Sequence, residues 1–224
     1  MSRPIAVLRP QPGNAATAGR IEAAGAIAIR LPLFAVRPLA WDAPDPARFD
    51  ALLLTSANAV RHGGDAVATL RTLPVLAVGA ATARAAREAG LNVAATGDAD
   101  AAALIAAATE SGHARLLHLC GRDHGVARGG AVRAVIPVYT SEALAIPAEL
   151  LVRLSGSVAL LHSERAARRI AALLDAAGVA RTGVAVAAIS PKVATAAGAG
   201  WHRVAIAERP SDIALIDAAR AIAD

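Results

Sequence analysis

The chain has one cysteine, one tyrosine and one lysine, and no apolar run approaching the ~18 residues that a bilayer span requires. The single cysteine, Cys120, excludes an internal disulfide. It fits a reducing compartment and is expected to be a buried, inert thiol. Aromatic residues make up only 2% of the chain, so the core must be built from closely packed Ala, Val, Leu and Ile. The first ten residues hold no apolar segment of secretory length before Arg9 and Pro10, and a cytoplasmic location with no membrane contact is expected. Net charge is +5 and, Lys192 apart, rests on arginine. No cluster of arginines interleaved with aromatics suggests a nucleic-acid groove. Nucleotide signatures are missing too: no GxGxxG follows a strand-like run and there is no GxxxxGK[ST]. No GxSxG elbow surrounds a serine, which argues against hydrolase chemistry. His118 and Cys120 would share one face of a strand near His124, but the spacing matches no known zinc site, so structural roles are expected and no metal is called for.

What the chain does contain is a duplication. LLLTSANAV, Leu52 to Val60, is an apolar run that stops at Ser56 and continues as helix-forming sequence; ALLHSERAA, Ala159 to Ala167, repeats it around Ser163. PVLAVGAATARAAREAG from Pro74 is echoed by VAVAAISPKVATAAGAG from Val184. The offset is 107 at Ser56/Ser163 and 111 at Gly79/Ser190, so the second copy carries four more residues between these points. Repetition of this length predicts two related domains.

Apolar runs of strand length alternate with helix-like segments, which predicts parallel sheets covered by helices on both faces. Strands are expected at Pro4–Leu8, Ala28–Leu31, Ala51–Leu54, Val75–Val78, Val93–Thr96 and Leu116–Leu119, with a helix capped by Asn14 or Thr17 running to about Ala24. GRDHGVARGG, Gly121 to Gly130, stands where the next covering helix would come, and is too short and glycine-rich to be one. LPLFAVRPL and AVIPVYTSEA read as extended, proline-marked crossings. The first copy owns a further strand, Leu116–Leu119, whereas the second lacks one, and the strand-helix-strand unit at the N-terminus is the free candidate to complete it. The expected domains are therefore 1–32 plus 147–224 and, inserted, 40–134, joined by crossings 33–39 and 135–146. A cleft between two such domains is a natural ligand site.

In an open parallel sheet, ligands bind beyond the carboxyl ends of strands, where helix N-termini point backbone N–H groups outward. Four corners qualify: Thr55-Ser56-Ala57-Asn58, Gly79-Ala80-Ala81-Thr82, Ser163-Glu164-Arg165 and Ser190-Pro191-Lys192. Helix capping is the plainer role for Ser56, Ser163 and Ser190, and it is compatible with anion binding. Tyr139, alone of its kind, lies in the second crossing, and there an aromatic plug and a catalytic phenol are equally open.

Taken together, LRP at Leu8 to Pro10, PL at Pro32-Leu33, LLLTSANAV, LAVGAATARAAREAG, LLHLCG at Leu116 to Gly121, VYTS at Val138 to Ser141, ALLHSERAA and AAISPKVATAAGAGW resemble the uroporphyrinogen-III synthase family in order and spacing. The resemblance implies two flavodoxin-like α/β domains with a two-stranded linker and a cleft between them. It implies an enzyme of tetrapyrrole biosynthesis without cofactor or metal, which closes hydroxymethylbilane, a linear tetrapyrrole polycarboxylate, while inverting its last ring through a spiro intermediate. It implies Tyr139 as general acid, and Ser56, Asn58, Gly79, Ala80, Thr82, Ser163 and Ser190 facing the substrate. Val193 stands where some members have threonine, and the Gly121–Gly130 stretch stands where many have a helix. A monomer is expected. The competing reading is a non-catalytic hinge-bending protein for an anionic small molecule.

Overall fold

A computed structural model describes residues 2–97 and 100–223. Met1 and Asp224, the outer limits of the expected discontinuous domain, lie outside the described residues. The chain runs β1 (Ile5–Val7), α1 (Gly13–Ala23), β2 (Ala28–Arg30), β3 (Phe34–Pro38), β4 (Ala51–Leu54), α2 (Ala57–His62), β5 (Val75–Val78), α3 (Ala80–Glu88), β6 (Val93–Gly97) and α4 (Ala101–Glu110). It continues with β7 (Leu116–Gly121), β8 (Val132–Ala143), α5 (Ala148–Val152), β9 (Val158–Leu161), α6 (Glu164–Ala176), β10 (Ala185–Ala188), α7 (Pro191–Ala197), β11 (Val204–Ile206) and α8 (Asp212–Arg220). The fold is α/β with two largely parallel sheets, and the chain divides into two compact units, Met1–Ala35 with Ala143–Asp224, and Val36–Glu142.

In the first unit the sheet order is β11-β10-β9-β1-β2, all parallel. Numbered in chain order within the unit, the order is 2-1-3-4-5, a doubly wound order of the flavodoxin-like kind. Strands β9 and β10 are wholly buried, as expected of parallel strands covered on both faces. Alternation then divides their side chains. Ala6, Ala159, Leu161 and Val186 pack towards α6 residues such as Ile170 and Leu174, whereas Ile5, Val7, Leu160 and Ala187 pack towards Ile21 of α1 and Leu215 of α8. Helix α1 starts on Pro12 without a side-chain cap, rather than on Asn14 or Thr17. The reason is that Asn14 is turned inward and spends its amide on the carbonyls of Val7 (2.7 Å) and Arg9 (3.1 Å).

In the second unit the order is β3-β8-β7-β4-β5-β6. Strands β4 to β8 pair in parallel, and β3 runs against β8, as Leu39 N donating to Val138 O and Leu144 N donating to Leu33 O show by their opposed numbering. Position for position, β7, β4, β5 and β6 repeat β1, β9, β10 and β11, so β1 fills in the first unit the place that β7 fills in the second. By the same correspondence β8 matches β2, and Gly121 to Gly130 occupies the place of α1 in the chain. One face of this sheet is covered by α2 and α3 through Ala59, Ala83 and Ala86. The other has Leu104 and Ala108 of α4 and, in place of a second helix, Val126 from the glycine-rich loop. Strand β8 begins at Val132, ahead of the expected crossing at 135, because its residues from Val132 to Tyr139 are paired along β7.

Candidate functional site

Beyond the carboxyl ends of β4 and β7, within the second unit, lies a cavity of about 710 Å³ whose walls include Thr55, Ser56, Asp100, Gly121, His124 and Tyr139. Each wall follows from local chemistry. Ser56 adopts an extended backbone and its hydroxyl accepts the Asn58 N–H at 3.2 Å, capping α2. Asp100 caps α4 in the same way, accepting Ala103 N–H at 2.9 Å. Tyr139 is brought in by the β7–β8 pairing, which shifts register between Cys120 and Gly121, and Arg122 N then donates to Tyr139 O at 2.8 Å.

The half-buried Tyr139 phenol has its pKa raised by burial, against an opposing pull from a hydrogen bond with Ser56. It is therefore neutral near pH 7 and able to donate its proton. The His62 ring sits 6.3 Å from it, centroid to centroid. Burial, helped by the charge of Arg61, holds His62 below the usual histidine range. Its Nε2 is buried with no hydrogen-bond partner.

Along β7, alternation puts His118 and Cys120 on one face. Both are buried, and His124 from the following loop reaches them, one donor atom from each lying within 4.8 Å of the other two. Thr55 Oγ1 is 3.1 Å from His118 Nε2, and His124 Nδ1 is 2.9 Å from the Val126 carbonyl. Burial, with the neighbouring His124, pushes His118 down to about 4, and burial pushes the Cys120 thiol up to about 11. Both are thus uncharged near neutrality.

Of the expected site residues, the cavity joins Ser56 and Tyr139. Asn58 is half-buried in the first turn of α2, with its N–H on the Ser56 cap. Gly79, Ala80 and Thr82 begin α3 one strand further along the sheet and do not line this cavity. Gly79 takes φ +80°, which favours glycine, and Thr82 is buried. In the first unit Ser163 caps α6 through Ala166 N at 3.2 Å, and Ser190 caps α7 through Val193 N at 3.4 Å. Glu164 accepts Lys192 at 2.9 Å and Arg168 at 2.6 Å, tying these two corners together.

The first unit holds a second polar group that the sequence does not foretell. Asp212, at the start of α8, accepts from His162 Nε2 (2.8 Å), Thr17 (2.8 Å), Arg20 (2.7 Å) and Arg9 (3.2 Å). Ser211, which caps the helix by accepting Ala214 N–H at 3.2 Å, is the sequence signal for that end, but nothing in it names the partners.

The family described as uroporphyrinogen-III synthase HemD matches residues 15–217. No curated protein matches. Among solved structures, that of uroporphyrinogen-III synthetase from Helicobacter pylori is similar with a TM-score of 0.64 at 18% identity, over 96% of this chain and 97% of that one. A mutant uroporphyrinogen III synthase from the extremely thermophilic bacterium Thermus thermophilus is similar with a TM-score of 0.50 at 19% identity, over 95% and 96%. At such identities these structures speak to the fold, and the family match speaks to kinship. Among the described residues no helix is long and apolar enough to cross a membrane.

Proposed function

The chain belongs to the uroporphyrinogen-III synthase family, the cyclising lyases of haem biosynthesis, and from that premise we propose how its own residues serve the reaction. The observation that carries the proposal is the neutral Tyr139 phenol beside Ser56 on the wall of the cavity. The substrate is hydroxymethylbilane. Its terminal hydroxyl leaves as water: the C–O bond breaks as the pyrrole nitrogen pushes electrons into an azafulvene, and the Tyr139 O–H proton goes to the departing oxygen. Attack by the substituted carbon of the last ring gives the spiro intermediate, which fragments and recloses with that ring inverted. The proton released when the final ring regains aromaticity returns to the phenolate, so no external acid or base is consumed.

A general acid of this kind contributes roughly 100- to 10,000-fold. Holding a flexible chain in one reactive geometry contributes more, up to roughly 7–11 kcal/mol. The carboxylate arms give the protein its grip. The start of α6, a helix of 13 residues whose dipole favours anions, offers one place in the first unit, near Arg165 and near the Arg168 and Lys192 that pair with Glu164. Asn58, Gly79, Ala80, Thr82 and Ser190 stay in the proposal as backbone-donating corners, as does the division into domains 1–32 plus 147–224 and 40–134. A cytoplasmic monomer is part of the same reading.

The deciding experiment supplies freshly prepared hydroxymethylbilane and separates the product isomers. The type III isomer is expected in excess over the blank. Type I product alone, at the blank rate, defeats the reading.

A further inference from the structure

We propose that His118, Cys120 and His124 form a binding site for a borderline-soft cation of the Zn2+ class. The three side chains already converge, with their donor atoms mutually within 4.8 Å. The decisive detail is how the two imidazoles spend their other nitrogens. His118 Nε2 is engaged by Thr55 Oγ1 at 3.1 Å, and His124 Nδ1 by the Val126 carbonyl at 2.9 Å. Metal-ligating histidines are oriented in this manner, by an oxygen on the nitrogen that does not bind the ion. What is left is His118 Nδ1, fully buried with no hydrogen-bond partner, and His124 Nε2. An orphaned buried nitrogen costs stability, and an ion satisfies it.

The donor set fixes the class of cation. Two imidazole nitrogens and one thiolate suit zinc or cuprous copper, and exclude magnesium or calcium, which take oxygens. Zinc bonds of about 2.0–2.3 Å put tetrahedral ligands roughly 3.3–3.7 Å apart. The present cluster must therefore contract by about an ångström, and His124, exposed on the glycine-rich loop, is placed to make that movement. On binding, the Cys120 S–H loses its proton to solvent and gives up its weak contact with Ile136 O at 3.7 Å. Three protein ligands leave a fourth position for water. Because His124 also lines the cavity that holds Tyr139, the ion would pin the loop at the edge of that cavity. This inference does not depend on the proposed reaction, since its test reads binding.

The test is equilibrium dialysis of the whole chain against Zn2+, with Co2+ as a spectroscopic probe. Wild-type protein is expected to hold one ion per chain and to show thiolate-to-Co2+ charge-transfer absorption. Cys120→Ser should abolish that absorption, His124→Ala should weaken binding about tenfold or more, and Thr55→Val should weaken it by about 10- to 100-fold. His124→Ala alters only an exposed loop residue, so its result stands even if Cys120→Ser folds poorly. Wild-type uptake no greater than that of His124→Ala, or Co2+ binding without a thiolate band, overturns the site.

Discussion

The ring of Tyr139 rests directly on the bare α-carbon of Gly121. A β-carbon built on Gly121 would lie 2.7 Å from Cζ and 3.0 Å from the phenolic oxygen of Tyr139. Gly121 is therefore kept for space rather than for an unusual backbone angle, and it positions the phenol through a contact that no side chain could share.

Gly121→Ala should displace the phenol and lower turnover by about tenfold or more, with an overpacking penalty of about 1–3 kcal/mol. Denaturant unfolding and product assay on the same preparation check this. Full activity would show that the ring can move without loss.

Tyr139→Phe removes one oxygen and leaves the ring packing on Gly121. Turnover should fall by roughly 100-fold or more with little change in melting temperature. Stopped assays for the type III isomer check it, and unchanged turnover would remove the phenol from the proton transfer.

Ser163→Ala and Ser56→Ala each delete a helix cap and should each cost about 1 kcal/mol. Only Ser56→Ala should also move the tyrosine titration upward, because the hydrogen bond from Ser56 opposes the larger upward push of burial on Tyr139. The chain has a single tyrosine, so ultraviolet titration reads that residue without interference.

Acid should destabilise the fold in two stages. Burial holds His162 below its ordinary value of 6.5, against the attraction of Asp212. Its contribution is present above pH 6.5 and is lost as pH falls below it. Burial alone would raise Asp212, but hydrogen bonds from His162 and Thr17 and the charge of Arg9 outweigh it and bring Asp212 from 3.8 to about 2. That contribution is present above about pH 4 and is lost as pH falls through about 2. Melting temperatures measured from pH 7 downward should decline in both ranges, and Asp212→Asn should flatten the lower one.

Much of this fold is legible because its strands are fully buried and therefore read as unbroken apolar runs: Ala51–Leu54 and Val75–Val78 fall where the sequence puts them. The duplication is legible because serine caps recur at equivalent strand ends. The start of α1 is not, because Asn14 has cap chemistry but points at the carbonyls at the end of β1. At the site, Ser56 and Tyr139 are visible as types, one at a strand end and one alone in an extended segment. The cluster of His118, Cys120 and His124 escapes a reading by spacing. Strand alternation pairs the first two, but only the path of a loop delivers the third, and loop paths are not written in periodicity. Gly121 reads only as the start of a helix-poor stretch; its role depends on Tyr139, its partner on the neighbouring strand.

The strand order of the first unit also carries a consequence for synthesis. Strand β1 is made before the second unit, yet its partner on one side, β9, follows only after the whole of that unit. The second unit, by contrast, has every pairing of its parallel sheet between Ala51 and Tyr139 and can close while the rest is still being made. Strand β1 is thus left waiting, and the nascent chain holds an open edge beside Ile5 to Val7 until Val158 to Leu161 arrives to cover it.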